Sequence, residues 1–189
     1  MSTWWAQITS TVAAEFSDLN DLTQATRLVV RLSVAAVLGG VLGVEREQKG
    51  KAAGVRTHML VAMGSALFVV VSQQSGMVPA DMSRVLQGLI AGIGFLGAGT
   101  ILKGHSEANV QGLTTAAGIW MTAAIGVAAG LGLEVTAVLS TLMALAIFSL
   151  MPRLLDVIDK PAQPENRIET EDLDVSDFDK PATPPKPKA

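Results

Sequence analysis

The run from Gly88 to Leu102 carries no charge and five glycines. Each glycine inside a water-soluble helix costs about 1 kcal/mol relative to alanine, so this stretch would melt as a soluble amphipathic helix. In a bilayer the backbone has no water to bond to, and the helix is held regardless. Glycine then lets a neighbouring helix approach closely, and Gly88 and Gly92 stand at the four-residue spacing that allows it. The letters Gly92-x-Gly94-x-x-Gly97 also match a dinucleotide-binding loop, which needs a strand before it and an acid about 20 residues on. Ser83 to Gln87 does not read as a strand, and position 117 is alanine. The membrane helix is the reading kept.

The distribution of charge extends this to the whole chain. Charged residues are sparse between Leu28 and Met151 and dense after Pro152, and charge-free runs of about 18 or more residues read as membrane spans. The expected fold class is an all-α membrane protein of five transmembrane helices, glycine-rich and closely packed. An N-terminal interfacial helix precedes them and a disordered C-terminal tail follows. The net charge of −3 is that of the tail, where Asp156, Asp159, Glu165, Glu169, Glu171, Asp172, Asp174, Asp177 and Asp179 outnumber the bases. No basic stripe suits nucleic acid. Without cysteine there is no disulfide framework or thiolate metal site.

In order, residues 1–22 place Trp5, Ile8, Val12, Phe16 and Leu19 on one helical face, and Trp4 and Trp5 suit a lipid–water boundary. Residues 23–152 hold the spans, at about 23–44, 57–71, 82–102, 110–130 and 133–151. Pro152 is expected to end the last. Arg27 and Arg31 share a face of the first span, either snorkelling to headgroups or turning inward to an acid. Gly39 and Gly43 form a second close-packing pair, and Gly126 and Gly130 a third. Residues 153–189 are a polar Pro/acidic tail that cannot bury enough surface to fold alone. The first connection has Arg46, Lys49, Lys51 and Arg56 and the second has no base. The positive-inside rule therefore puts the first connection and the C-terminus in the cytoplasm and the N-terminus outside.

That topology gathers a cytoplasmic polar cluster of Glu45, Arg46, Arg56, Thr57, His58, Gln111 and Thr114. Glu45 and Glu47 with oxygen donors Thr57 and Asn109 have the composition for hydrated Mg²⁺, which takes one or two carboxylates and keeps its waters. Arg56 with two helix N-termini suits an anion. An ion-pair network locking the helix ends is the third reading. His58 reads as a hydrogen-bonding residue at the interface and His105 as an exposed loop residue. No serine or threonine stands with a histidine and an acid in a catalytic arrangement, so no enzyme is expected.

The segments Gly43–Glu47, Ala53–His58, Gly64–Phe68, Gly92–Gly99 and Gly112–Ala117, in this order and spacing, resemble the MgtC/SapB family of bacterial inner-membrane proteins. The resemblance implies a five-span inner-membrane domain. It also implies a role in growth at low Mg²⁺ and survival inside host cells, at least one member restraining the proton-translocating ATP synthase. Two features depart from the family pattern. Longer members carry a folded C-terminal domain where this chain has a polar tail. The arginine that usually precedes Gly-Leu is here Gln111, which removes one positive charge from the cytoplasmic mouth. The expectation is a non-enzymatic membrane regulator that contacts lipid and another membrane complex, with a homo-oligomer allowed. The alternative is a small Mg²⁺ or other ion transporter acting as an oligomer.

Overall fold

The computed structural model describes residues 3–17, 21–103 and 110–158. Six helices and one short β pair follow in order: α1 Trp4–Glu15, α2 Leu22–Gln48, α3 Val55–Gln74, α4 Pro79–Ala98, β1 Leu102–Lys103, β2 Val110–Gln111, α5 Leu113–Leu131 and α6 Glu134–Ile158. Among the described residues, four helices are long and apolar enough to cross a membrane: α2, α3, α5, and α6 over Glu134–Pro152. α4 matches α3 in length at 20 residues, but Asp81, Ser83, Arg84 and Gln87 occupy its first half.

α3 packs between α2 and α5, α6 lies against α5 and α2, and α4 lies against α5 and α3. Small residues on the facing surfaces permit this. The core is Ala35 and Leu42 of α2, Ala62 and Ala66 of α3, Ile125 and Ala129 of α5, and Ala137 and Ala144 of α6. Glycines set the closest approaches. A β-carbon added at Gly39 would lie 2.5 Å from the His58 carbonyl oxygen, and one at Gly43 2.5 Å from Val55 Cα. At Gly126 it would lie 2.2 Å from Ala62 O, and at Gly130 2.7 Å from Ala66 O. These four expected packing glycines are therefore in helix contacts.

Gly88 and Gly92 are not. Both are exposed, and a β-carbon at either meets nothing within 4 Å. Gly97 is the one buried residue of α4. The spacing identifies a small face, but among the described residues no helix covers it at these positions. The Gly92–Gly97 motif lies inside α4, so it forms no phosphate loop.

Several expected limits move. α2 continues to Gln48, because Glu45 and Lys49 form an i,i+4 ion pair of 2.5 Å that carries the helix another turn. α4 ends at Ala98, and Leu102 pairs antiparallel with Gln111. α5 begins after Gly112 at φ +93, where a β-carbon would lie 2.0 Å from Thr100 O. Only glycine turns the chain there. α5 closes on Gly132 at φ +80.

Pro152 does not end α6, which runs on to Ile158. Proline removes the hydrogen bond to the carbonyl four residues earlier, here that of Phe148. The Lys49 ammonium donates to that carbonyl instead, so the helix passes the proline with its orphaned acceptor satisfied. At the other end of the chain no residue of α1 is buried, and Trp4 and Trp5 stack with ring centroids 4.1 Å apart. Leu19 and residues 159–189 of the tail lie outside the described residues.

Candidate functional site

The last turn of α2 puts Glu45, Arg46 and Lys49 beside the start of α3 and the middle of α6. Arg46 is 2% exposed, with its guanidinium carbon 4.5 Å from the centre of the Phe148 ring. This is a cation–π contact. Its Nη1 lies 3.8 Å from Glu45 Oε2, a loose ion pair. Glu45 meets Lys49 more closely, at 2.5 Å, as a charge contact without hydrogen-bond alignment. Lys49 in turn reaches Phe148 O. One carboxylate and two bases thus tie α2 to α6.

Glu47 has a separate task. Its Oε2 accepts a hydrogen bond from Val55 N at 2.9 Å, at the first residue of α3. The N-cap residue Gly54 has no side chain to do this, so Glu47 supplies the cap from the preceding helix. A β-carbon at Gly54 would lie 2.5 Å from that same oxygen, which makes glycine the residue that admits the carboxylate. Glu47→Ala is expected to cost about 1–2 kcal/mol, and Glu47→Gln, which keeps an acceptor, about half as much or less. Equal losses in an unfolding titration in mixed micelles would argue against the cap.

His58 is fully buried and makes the hydrogen bond expected of it. Its Nδ1 faces Gly54 O at 3.0 Å, so the proton on Nδ1 donates to that carbonyl and Nε2 is the free nitrogen. Nε2 lies 3.6 Å from where a β-carbon on Gly118 would stand, and Phe148 Cζ 3.3 Å from the same point. Gly118 thereby leaves room against α5 for both His58 and Phe148. Arg46 Nε and Nη2, Glu45 Oε2 and His58 Nε2 have no hydrogen-bond partner among the described residues. Buried polar groups are normally satisfied by protein or ordered water, so this end of the bundle has unused donor and acceptor capacity.

The structure therefore brings together Glu45, Arg46 and His58 of the expected cluster. It adds Lys49, Phe148 and Gly118, which the sequence reading missed. The available signal was Pro152, which frees the Phe148 carbonyl, together with the i,i+4 spacing of Glu45 and Lys49. Arg56, Gln111 and Thr114 are exposed and do not join. Gln111 pairs with Leu102 in the β pair, immediately before the α5 N-cap Gly112. Of the expected metal set, Glu47 is engaged as the α3 cap and Thr57 is half-buried. Asn109 and His105 lie outside the described residues. No group of three or more histidine or carboxylate side chains able to hold a metal occurs among the described residues.

Comparison with known proteins gives a consistent family. The MgtC family model matches residues 32–157. YhiD of Escherichia coli (strain K12), provisionally named a magnesium transporter, is 41% identical over 133 residues, covering 67% of this chain and 61% of YhiD. Protein SrpB of Synechococcus elongatus is 45% identical over 138 residues, covering 67% of this chain and 76% of SrpB. Protein MgtC of Brucella abortus is 44% identical over 130 residues, covering 68% of this chain and 52% of that protein. The chain thus spans little more than half the length of some of these relatives. No solved structure matches it.

Proposed function

The chain belongs to the MgtC family of membrane proteins, and we propose that it is a non-enzymatic regulator in the bacterial inner membrane. It adapts the cell to low Mg²⁺ or intracellular stress by contact with another membrane complex, of which the proton-translocating ATP synthase is the type the family resemblance suggests. In this reading α4 crosses as a fifth span, the N-terminus lies outside and the Arg46 end faces the cytoplasm. The observation that carries the proposal is the use of charge at that end. Glu47 caps α3, Lys49 fills the carbonyl freed by Pro152, and Arg46 lies on Phe148. Charges spent on fixing helix ends suit a rigid recognition surface better than a path along which an ion exchanges ligands.

A transporter is the second reading. The unpartnered atoms of Glu45, Arg46 and His58 favour it, as does the magnesium-transporter name of the YhiD relative. Mg²⁺ uptake into proteoliposomes, with and without a membrane potential, separates the two. The regulator reading expects no saturable uptake from folded, correctly inserted protein and a membrane complex recovered with it from mild-detergent extracts. Saturable uptake that Glu45→Gln abolishes would replace it with the transporter.

A further inference from the structure

The opposite end of the bundle holds two arginines that the reading above does not use. Arg31 lies nine residues into α2, about 13 Å along the helix from Leu22. Of the two orientations open to it from the sequence it takes the inward one, but toward neutral acceptors rather than an acid. Its Nη1 donates to Gln73 Oε1 at 2.7 Å and to Gly130 O at 3.0 Å, joining the ends of α3 and α5. Its Nη2 lies against Gly132, where a β-carbon would stand 2.6 Å away, so the glycine seats the guanidinium. Arg27 is one turn earlier on the same face and exposed.

A cavity of about 280 Å³ opens between them, with Gln24, Gln73 and Gln74 as its other polar lining. A second, of similar size, lies on the other side of the same pair and includes Glu134. Among the described residues neither arginine forms an ion pair with Glu134 or any other carboxylate. Arg31 is thus oriented by dipoles while its charge stays unneutralised, beside a second guanidinium and amide donors.

We propose that the Arg27–Arg31 cavity is a phosphate-binding site. Guanidinium forks match phosphate oxygens in paired, charge-assisted hydrogen bonds, and the glutamine amides add neutral donors. The phosphate belongs either to the headgroup of an anionic lipid, since the cavity opens where membrane-crossing helices end, or to free phosphate. The proposal is independent of the regulator and transporter readings.

Arg27→Gln tests it, because Arg27 holds no helix in place. Purified full-length chain in mild detergent is offered phosphatidylglycerol and scored for bound lipid by native mass spectrometry. Separately, it is titrated with inorganic phosphate by calorimetry. Arg84→Gln, in an exposed pair with Asp81 on α4, serves as the charge control. Arg27→Gln is expected to weaken binding about tenfold, the loss of one charge-assisted contact, and Arg84→Gln to leave it unchanged. Loss confined to phosphatidylglycerol identifies the headgroup, and loss confined to inorganic phosphate a soluble anion. Binding of neither probe by the native chain, equal binding by Arg27→Gln, or an equal loss in Arg84→Gln overturns the site.

Discussion

Replacing Arg46 by alanine is expected to destabilise the bundle by about 2–5 kcal/mol, the usual cost of truncating a large buried side chain. The side chain is almost fully buried and lies over Phe148 with Glu45 beside it. Truncation removes the cation–π contact, leaves the Glu45 carboxylate with Lys49 alone, and opens space between α2 and α6. Three further variants apportion the loss. Phe148→Leu keeps the backbone carbonyl that Lys49 uses but removes the ring, and is expected to cost about 1–2 kcal/mol. Because Arg46 and Phe148 touch, the double variant should lose less than the sum of the two. Glu45→Gln in the Arg46→Ala background is expected to change stability little further, since Lys49 still neutralises the carboxylate there. Equilibrium unfolding in mixed detergent micelles reads all four. A loss below about 1 kcal/mol for Arg46→Ala would mean that water already solvates the guanidinium.

Glu45, Arg46 and His58 were legible as a site because ionisable residues at the ends of apolar runs stand out against their surroundings. Their partners were not. Phe148 sits about 100 positions away, and nothing in its local pattern marks its ring as the one that meets Arg46. Pro152 misled for a related reason. A proline stops a helix when its orphaned carbonyl finds no donor, and here Lys49 arrives from α2 to supply one. Glu47 is a different case, since the carboxylate that the sequence offers as a metal ligand also caps the bare N-terminus of α3.

The glycine pairs teach the same lesson on the scale of helices. A four-residue spacing states that one face of a helix is small. It does not state whether another helix lies against that face. Gly39 and Gly43, and Gly126 and Gly130, meet neighbours in this chain, whereas Gly88 and Gly92 have the same spacing and open space. The four spanning helices of adequate length were legible from charge-free runs. Their order around α3 was not, because periodicity gives faces and not neighbours.

That contrast yields the second large effect, Gly126→Ala. The added carbon would stand 2.2 Å from Ala62 O and 2.8 Å from Ala62 C, well inside contact distance. Both atoms are backbone at the α3–α5 contact, and a helix backbone cannot swing aside as a side-chain tip does. The helices must separate, and separation strips contacts from Ala66 and Ala129 in the core at the same time. The expected loss is about 3 kcal/mol, the upper part of the range for overpacking, seen as a lowered unfolding midpoint or as protein that fails to accumulate in the membrane. Gly92→Ala adds the same methyl group where nothing lies within 4 Å, and alanine is the better helix former by up to about 1 kcal/mol. It should therefore leave the isolated chain within about 1 kcal/mol of native stability. Mild damage from Gly126→Ala would mean that α3 and α5 are not held at the distance described. Damage from Gly92→Ala as severe as that from Gly126→Ala would mean that the α4 face is covered in the membrane by a helix from outside this chain.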